Sequence, residues 1–477
     1  MSTHGEKMKS DVFREYDIRG IVGTEIKIEE TYELTQAILS YFLKLNPNTK
    51  KIVFGMDGRT HGPTIKKEML RATTEMGIDV LDIGVCPTPV LYFATFTTGI
   101  PHGLILTASH NPKEYNGVKI CFNKKSVWGK QVQEIRKIFE EKSFAKNKTK
   151  KIGTVETFDA NDAYTTWLTE HFSHLKNKEI NAVIDCGNGT AGTVLPQLIK
   201  KMNLQNIELL YEEVDGTFPN HEADPTTLKN MLDVKSILKT KKNINVGLGF
   251  DGDCDRMNPM TKNGELVPGD KMVALYSKNI IQKNPGAPII FDIKSSSSLL
   301  GVVKKWGATP LFSPSGHSII KNNLYKNNAL LAGELSCHFF FNDRYFGYDD
   351  GIYAALRLFE ILHKTNISLE EMLDEFPKQC SSREYRITCA EKDKTAIVEH
   401  VKKVFNNQKS ATLLTIDGVR AHTPEGWGLI RASNTQPVVC LRFESNTPEG
   451  LQKIKNNFCT ALKPYYSQKE LDEQFEK

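Results

Sequence analysis

Nowhere in the 477 residues do 18 apolar residues run together, the length a helix needs to cross a bilayer, so no membrane partner is expected. The N-terminus, MSTHGEKMKSDVFREYD, lacks the apolar h-region of a secretory signal. Nine cysteines are present, an odd number, and none forms a Cys-x-x-Cys pair. Cys86, Cys121, Cys186 and Cys440 lie within or beside apolar runs and read as buried free thiols of a reducing compartment. No strong charge excess exists either: 62 Lys and Arg against 57 Asp and Glu give a net charge of +5. Short basic clusters such as Lys148 to Lys151 and Lys239 to Lys242 read as solvated loops, so no nucleic-acid partner is expected. A mild positive excess suits an anionic small substrate. The protein is expected to be cytoplasmic.

What is present is a repeat. A hydrophobic content of 39% and a charged content of 25% are ordinary for a globular chain, and this length suggests about three or four domains. Three segments share one grammar: KKIVFGMDGRT ends a strand-like run at Asp57, NAVIDCGNGTAG at Asp185 and APIIFDIKSSSSLLGVVKKW at Asp292. Each reads as a buried strand, a turn and a helix. They lie about 105 to 130 residues apart, one domain length. The last hundred residues differ. They read as a strand and helix, several strands joined by turns, and a closing helix that Thr447 can cap. The fold expected is α/β: three related α/β domains with mixed sheets between helices, plus a smaller C-terminal α+β domain. The boundaries expected are 1–158, 159–262, 263–376 and 377–477.

Four stretches carry candidate chemistry. In TASHNP, Ser109 and His110 end a strand, and Lys119 follows ten residues on. The setting does not match the Gly-x-Ser-x-Gly of a hydrolase. In VGLGFDGDCDR, Asp251, Asp253 and Asp255 alternate at a strand end. Close carboxylates repel unless a cation sits among them, and hard oxygen ligands suit Mg²⁺ or Ca²⁺. An EF-hand is excluded because its sixth and twelfth positions are Arg256 and Lys262. Three ligands need a fourth oxygen, and a phosphate carried on Ser109 would supply it, with Arg256 holding a phosphate oxygen and Lys119 moving the proton of an incoming hydroxyl. In GELSCH, an extended course would point Glu334, Ser336 and His338 the same way, as sugar hydroxyls require. In RASNTQP, Arg431, Ser433, Asn434 and Thr435 make a phosphate cradle.

In this order along the chain, TASHNP, DGDCDR, GELSCH and RASNTQP resemble the four signature motifs of the α-D-phosphohexomutases. FREYDIRG, VDGTFPNHEADPT and SPSGHSIIK resemble further segments of that family, and the likeness is greatest to its bacterial bifunctional phosphomannomutase/phosphoglucomutase branch. The resemblance implies a heart-shaped arrangement of four domains around a central cleft. It implies Ser109 as a phosphoserine and Mg²⁺ on Asp251, Asp253, Asp255 and that phosphate. Arg19, His110, Lys119, Arg256 and His317 would surround the transferring group, with Lys119 the candidate acid and base. Tyr16 and Lys294 would line the substrate path. Glu334, Ser336 and His338 would bind sugar hydroxyls, and Arg431, Ser433, Asn434 and Thr435 the phosphate that is not reacting. The implied reaction interconverts hexose 1-phosphate and hexose 6-phosphate of mannose, glucose or both through a hexose 1,6-bisphosphate, which also serves as primer, in a monomer or dimer. The loop departs from near relatives at Leu335 and Cys337, where Met and Gly are usual, and Gln436 stands where Glu or Thr is common. A phosphoglucosamine mutase usually has Gln at the Leu335 position. A phosphatase would release inorganic phosphate instead. A non-catalytic phosphosugar-binding protein should have lost Ser109 or one of the three Asp residues.

Overall fold

A computed structural model describes residues 8–147, 150–433 and 437–476. The first sheet contains β1 (Ile18–Ile21), β2 (Lys51–Met56), β3 (Asp79–Val85), β4 (Gly103–Leu106), β5 (Tyr115–Phe122), β6 (Lys125–Ser126) and β7 (Val155–Thr157). Its order is β1-β5-β4-β2-β3-β7, with β6 paired to β5. The second holds β8 (Glu179–Asp185), β9 (Gln205–Leu210), β10 (Val246–Phe250) and β11 (Met257–Met260), in the order β11-β10-β8-β9. The third holds β12 (Pro288–Asp292), β13 (Thr309–Ser313), β14 (Leu331–Gly333) and β15 (Phe339–Phe341), in the order β13-β12-β14-β15.

One topology underlies all three. The strand of each Asp repeat (β2, β8, β12) is central. The next two strands in sequence pair with it in parallel, one on each side. The fourth pairs antiparallel to the third. Central strands with helices on both faces must be apolar on both faces, which is why these runs are continuous rather than alternating. The connection from third to fourth strand lies at the carboxyl end of a parallel strand, where such sheets place ligands. Ser109, the Asp251–Asp255 stretch and Glu334–His338 occupy these three equivalent connections.

The C-terminal sheet contains β16 (Cys380–Ser381), β17 (Tyr385–Thr388), β18 (Thr412–Leu414), β19 (Val419–Thr423), β20 (Gly426–Ala432) and β21 (Val438–Ser445). All its pairings are antiparallel. Thr447 caps the following helix, Pro448–Leu462, by accepting from the Gly450 amide. One continuous core runs from Val53 to Phe376 through the three α/β units, whereas the C-terminal unit has its own. The two bodies meet at Arg420, whose guanidinium lies 3.5 Å from the Trp427 ring centroid. Arg420 donates to the carbonyls of Ile293 and Ser295 at 2.6 and 2.7 Å.

Asp350 ties the second unit to the third. It caps helix Gly351–Thr365 by accepting from the Tyr353 amide, and it accepts from the hydroxyls of Tyr164 (2.8 Å) and Tyr345 (2.7 Å). Burial pushes its carboxyl up to about 6 against these donors. An acid raised above its unfolded value of about 3.9 stabilises the fold most when protonated, and that contribution is lost as pH rises through the folded value. Comparing wild type with Asp350→Asn, the wild-type advantage in unfolding free energy should fall by about 2 kcal/mol between pH 4 and pH 7 and stay flat above. A difference that does not move across that window would rule this linkage out.

Candidate active site

Ser109 adopts a left-handed backbone conformation, φ 52°, which costs a non-glycine residue about 1 kcal/mol. The conformation is held from outside. Arg59, fully buried, pairs with Asp57 at 3.1 Å and donates to the carbonyls of Ser109 (2.9 Å), Asn111 (2.6 Å), Pro112 (2.7 Å) and Tyr115 (3.0 Å). Arg19 adds bonds to the Ala108 carbonyl and the Asn111 side chain, and pairs with Asp17. The loop thus presents the Ser109 hydroxyl, which donates to Asp251 Oδ2 at 2.7 Å and lies 3.2 Å from His110 Nδ1. Desolvation, helped by the cations of Arg256 and Arg19, holds His110 well below the usual imidazole range, so its ring is neutral.

Asp251, Asp253 and Asp255 face this hydroxyl, completely buried, with carboxylate oxygens within 4.8 Å of one another. Close approach of the two loops depends on Gly252: a Cβ there would stand 2.7 Å from the Ser109 carbonyl. Burial and the neighbouring Asp255 and Asp253 push the Asp251 carboxyl far above its ordinary value. Lys119 donates to Asp253 Oδ2 (2.6 Å) and Asp255 Oδ2 (2.5 Å), and Thr88 also donates to Asp253 Oδ2 at 2.6 Å. Asp253 Oδ1 and Asp255 Oδ1 are buried and accept no hydrogen bond among the described residues. Unpartnered anionic oxygens converging in a buried site fit a hard divalent cation.

The extended course expected for Glu334 to His338 is not what forms. β14 ends at Gly333, and a tight turn follows, closed by Glu334 N–H to the His338 carbonyl (3.0 Å) and Cys337 N–H to the Glu334 carbonyl (3.0 Å). Antiparallel pairing of β14 with β15 forces this reversal. Cys337 takes the left-handed position, φ 67°, where glycine is favoured, and its thiol donates to Asn258 Oδ1 at 3.2 Å. Glu334 is fixed by the Gly316 amide at 2.9 Å. His338 Nε2 accepts from Arg256 Nε at 3.0 Å, and its Nδ1 lies 3.3 Å from Asp349 and 3.5 Å from Asp255. Asp349 also faces His317 Nδ1 at 3.4 Å and accepts from Lys321 at 2.8 Å.

A cleft of about 200 Å³ joins these loops to the C-terminal unit. Tyr16, Arg19, His110, Arg256, Lys294, His317, Glu334, Ser336, His338, Arg431 and Ser433 line it. Ser109, Lys119 and the three aspartates are buried and do not line it. Opposing carboxylates hold the cations of the far wall: Asp417 binds Arg431 at 2.8 Å, and Glu384 lies 3.4 Å from Lys294 and 3.3 Å from Arg386. Despite its desolvation, Lys294, Arg386 and Arg431 keep Glu384 down at about 2. Asn434, Thr435 and Gln436 lie outside the described residues.

Models of the phosphoglucomutase/phosphomannomutase family match all four units: α/β/α domain I over residues 10–146, domain II over 162–264, domain III over 268–380 and the C-terminal domain over 384–461. The chain belongs to this family. The phosphomannomutase/phosphoglucomutase of Pseudomonas aeruginosa is 40% identical over 456 residues, 96% of each chain. The phosphoglucomutase of Neisseria gonorrhoeae is 38% identical over 95% of this chain and 96% of its own. A solved structure of a phosphoglucomutase/phosphomannomutase family protein from Burkholderia thailandensis superposes with a TM-score of 0.87 at 33% identity, covering 96% of this chain and 98% of that one.

Asp57, Arg59 and Lys321 lie in segments singled out by the sequence but carry no sign there of their place in the site, and Thr88, Asp349, Glu384 and Asp417 show no local signal at all. The Asp-Gly-Arg of the first repeat was the one available signal for Arg59. Replacing Arg59 by Met would leave Asp57 and four backbone carbonyls buried without their donor. The expected cost is about 3–5 kcal/mol in urea unfolding, with turnover lost in whatever protein remains folded. Unfolding within about 0.5 kcal/mol of wild type would mean that the loop is held by something else.

Proposed function

We propose that the protein is a phosphohexomutase interconverting hexose 1-phosphate and hexose 6-phosphate, with glucose and mannose both accepted. The observation that carries this reading is the Ser109 hydroxyl, set in a braced left-handed turn 2.7 Å from an aspartate of the buried triad. The units we assign are 1–158, 159–262, 263–376 and 377–477, each contributing one loop.

Phosphorylated Ser109 gives its phosphoryl group to the free hydroxyl of the bound sugar phosphate. The Ser109 Oγ–P bond breaks, a bond from phosphorus to the sugar oxygen forms, and a hexose 1,6-bisphosphate results. The bisphosphate turns round, and Ser109 takes the other phosphoryl group back. Mg²⁺, held by Asp251, Asp253, Asp255 and the Ser109 phosphate, would polarise the phosphorus and offset its charge. Arg256 and Arg19 stabilise the transferring oxygens. Lys119, in contact with two carboxylates, is the acid and base that passes the proton of the attacking sugar hydroxyl to Ser109 Oγ as the Oγ–P bond breaks, and the proton returns by the same route when Ser109 takes the other phosphoryl group. His110, 3.2 Å from Ser109 Oγ, orients the Ser109 hydroxyl beside the transferring group. His317 stands beside the transferring group. Glu334, Ser336 and His338 hold sugar hydroxyls at carbons 3 and 4. Arg431, Ser433, Asn434 and Thr435 receive the distal phosphate, with Tyr16 and Lys294 along the path. Glucose and mannose differ at carbon 2, which such a site does not read.

A coupled assay with Mg²⁺ and a trace of glucose 1,6-bisphosphate should give comparable kcat/KM for glucose 1-phosphate and mannose 1-phosphate. Ser109→Ala should lose about 10³-fold or more, and inorganic phosphate should not accumulate. A large preference for one sugar would make this a dedicated enzyme. Glu334→Ala should lower kcat/KM about 10- to 100-fold for both sugars alike, and full turnover in that variant would remove Glu334 from sugar binding.

A further inference from the structure

A second cavity lies apart from the cleft. It measures about 770 Å³, within the range of small-molecule sites, and lies between the first and third units. It stands back to back with the cleft, and the partition is one chain thick in two places. Arg14 and Tyr16 line the cleft while Glu15 lines the cavity, and His317 lines the cleft while Ser318 lines the cavity. Tyr16 seals the partition by donating to the Ser315 carbonyl at 2.8 Å. Its ring leaves no room for a side chain at Gly316, φ 122°, where a Cβ would stand 2.3 Å from it.

The lining is rich in rings, among them Tyr92, Phe96, Trp128 and Tyr325. Two of its hydroxyls, Ser126 and Ser318, are buried with no hydrogen-bond partner among the described residues, and Ser318 as a whole is only 1% exposed. Buried hydroxyls are normally satisfied, so these mark places for a ligand's polar atoms. Lys124, Lys125, Lys130 and Lys321 stand around the cavity against one carboxylate, Glu15. Lys321 is engaged with Asp349 and Tyr92, which leaves the charge balance at the rim positive. A sugar phosphate would leave the rings without apolar partners, whereas an aromatic ring carrying an acid group matches both rings and lysines.

We propose that this cavity is a second ligand site, for a small aromatic anion, sharing a wall with the cleft. Its occupation bears directly on the cleft through helix His317–Lys326. Ser318 and Lys321 of that helix face the ligand, His317 faces the sugar phosphate, and Lys321 reaches Asp349, the anchor of both His317 and His338.

The test uses 8-anilinonaphthalene-1-sulfonate, an aromatic anion that fluoresces in apolar surroundings, titrated into the full chain. One saturable site per chain is expected. Asn322→Trp, at an exposed position on the cavity wall, and Lys124→Glu should each weaken binding about tenfold, while Arg431→Gln in the cleft leaves it unchanged. Circular dichroism of each variant verifies that it is folded. Absence of saturable binding would overturn the proposal. So would binding indifferent to both cavity variants, or binding lost in Arg431→Gln.

Discussion

Three buried carboxylates within reach of one another cannot all be ionised without cations, and the centre of this protein is built around that constraint. Asp251, Asp253 and Asp255 hold Lys119 in a two-carboxylate contact, draw the Ser109 hydroxyl to 2.7 Å and keep Arg256 within 3.7 Å of Asp251. Among the described residues, two of their oxygens still accept no hydrogen bond. The concentration of negative charge makes the site fit a divalent cation and, with it, an oxyanion brought in by Ser109.

The repeat explains how such a concentration can be assembled. Each α/β unit contributes the same connection, where a parallel sheet turns antiparallel, and three of these meet. Sheets supply rigid strand ends, so each loop needs only local bracing: Arg59 under the Ser109 loop, Asp349 behind the histidines, the Gly316 amide on Glu334. The fourth unit is different in kind. It is antiparallel, has its own core, and touches the rest through Arg420, Trp427 and Leu429 against the Ile293 to Ser297 stretch.

Much of this was readable beforehand. Continuous apolar runs closed by Asp57, Asp185 and Asp292 marked the central strands, because a strand covered on both faces has no polar side to show. The alternating aspartates, the Ser-His pair and the Arg-Ala-Ser-Asn-Thr run from Arg431 point to oxygen and phosphate chemistry by residue type alone. What misled was the local course of GELSCH. Alternation along six residues suits a strand, but the pairing of β14 with β15 turns the chain there, and nothing within the hexapeptide announces a partner. The contact of Lys119 with two carboxylates, made across 134 and 136 residues, leaves no mark in the local sequence. Arg59 was hidden because its role consists of bonds to backbone carbonyls fifty or more residues away, which leave no mark in side-chain identity.

The sequence by itself determined the family, the three-fold repeat and the kinds of group at the site, because those follow from residue types in fixed local order. Only the tertiary structure decided which oxygens are left without partners, which histidine is neutral, which turn carries Glu334, and that a second cavity backs onto the cleft. Each of these depends on distance, burial and charge between residues far apart in the chain, and those quantities exist only after the units have packed.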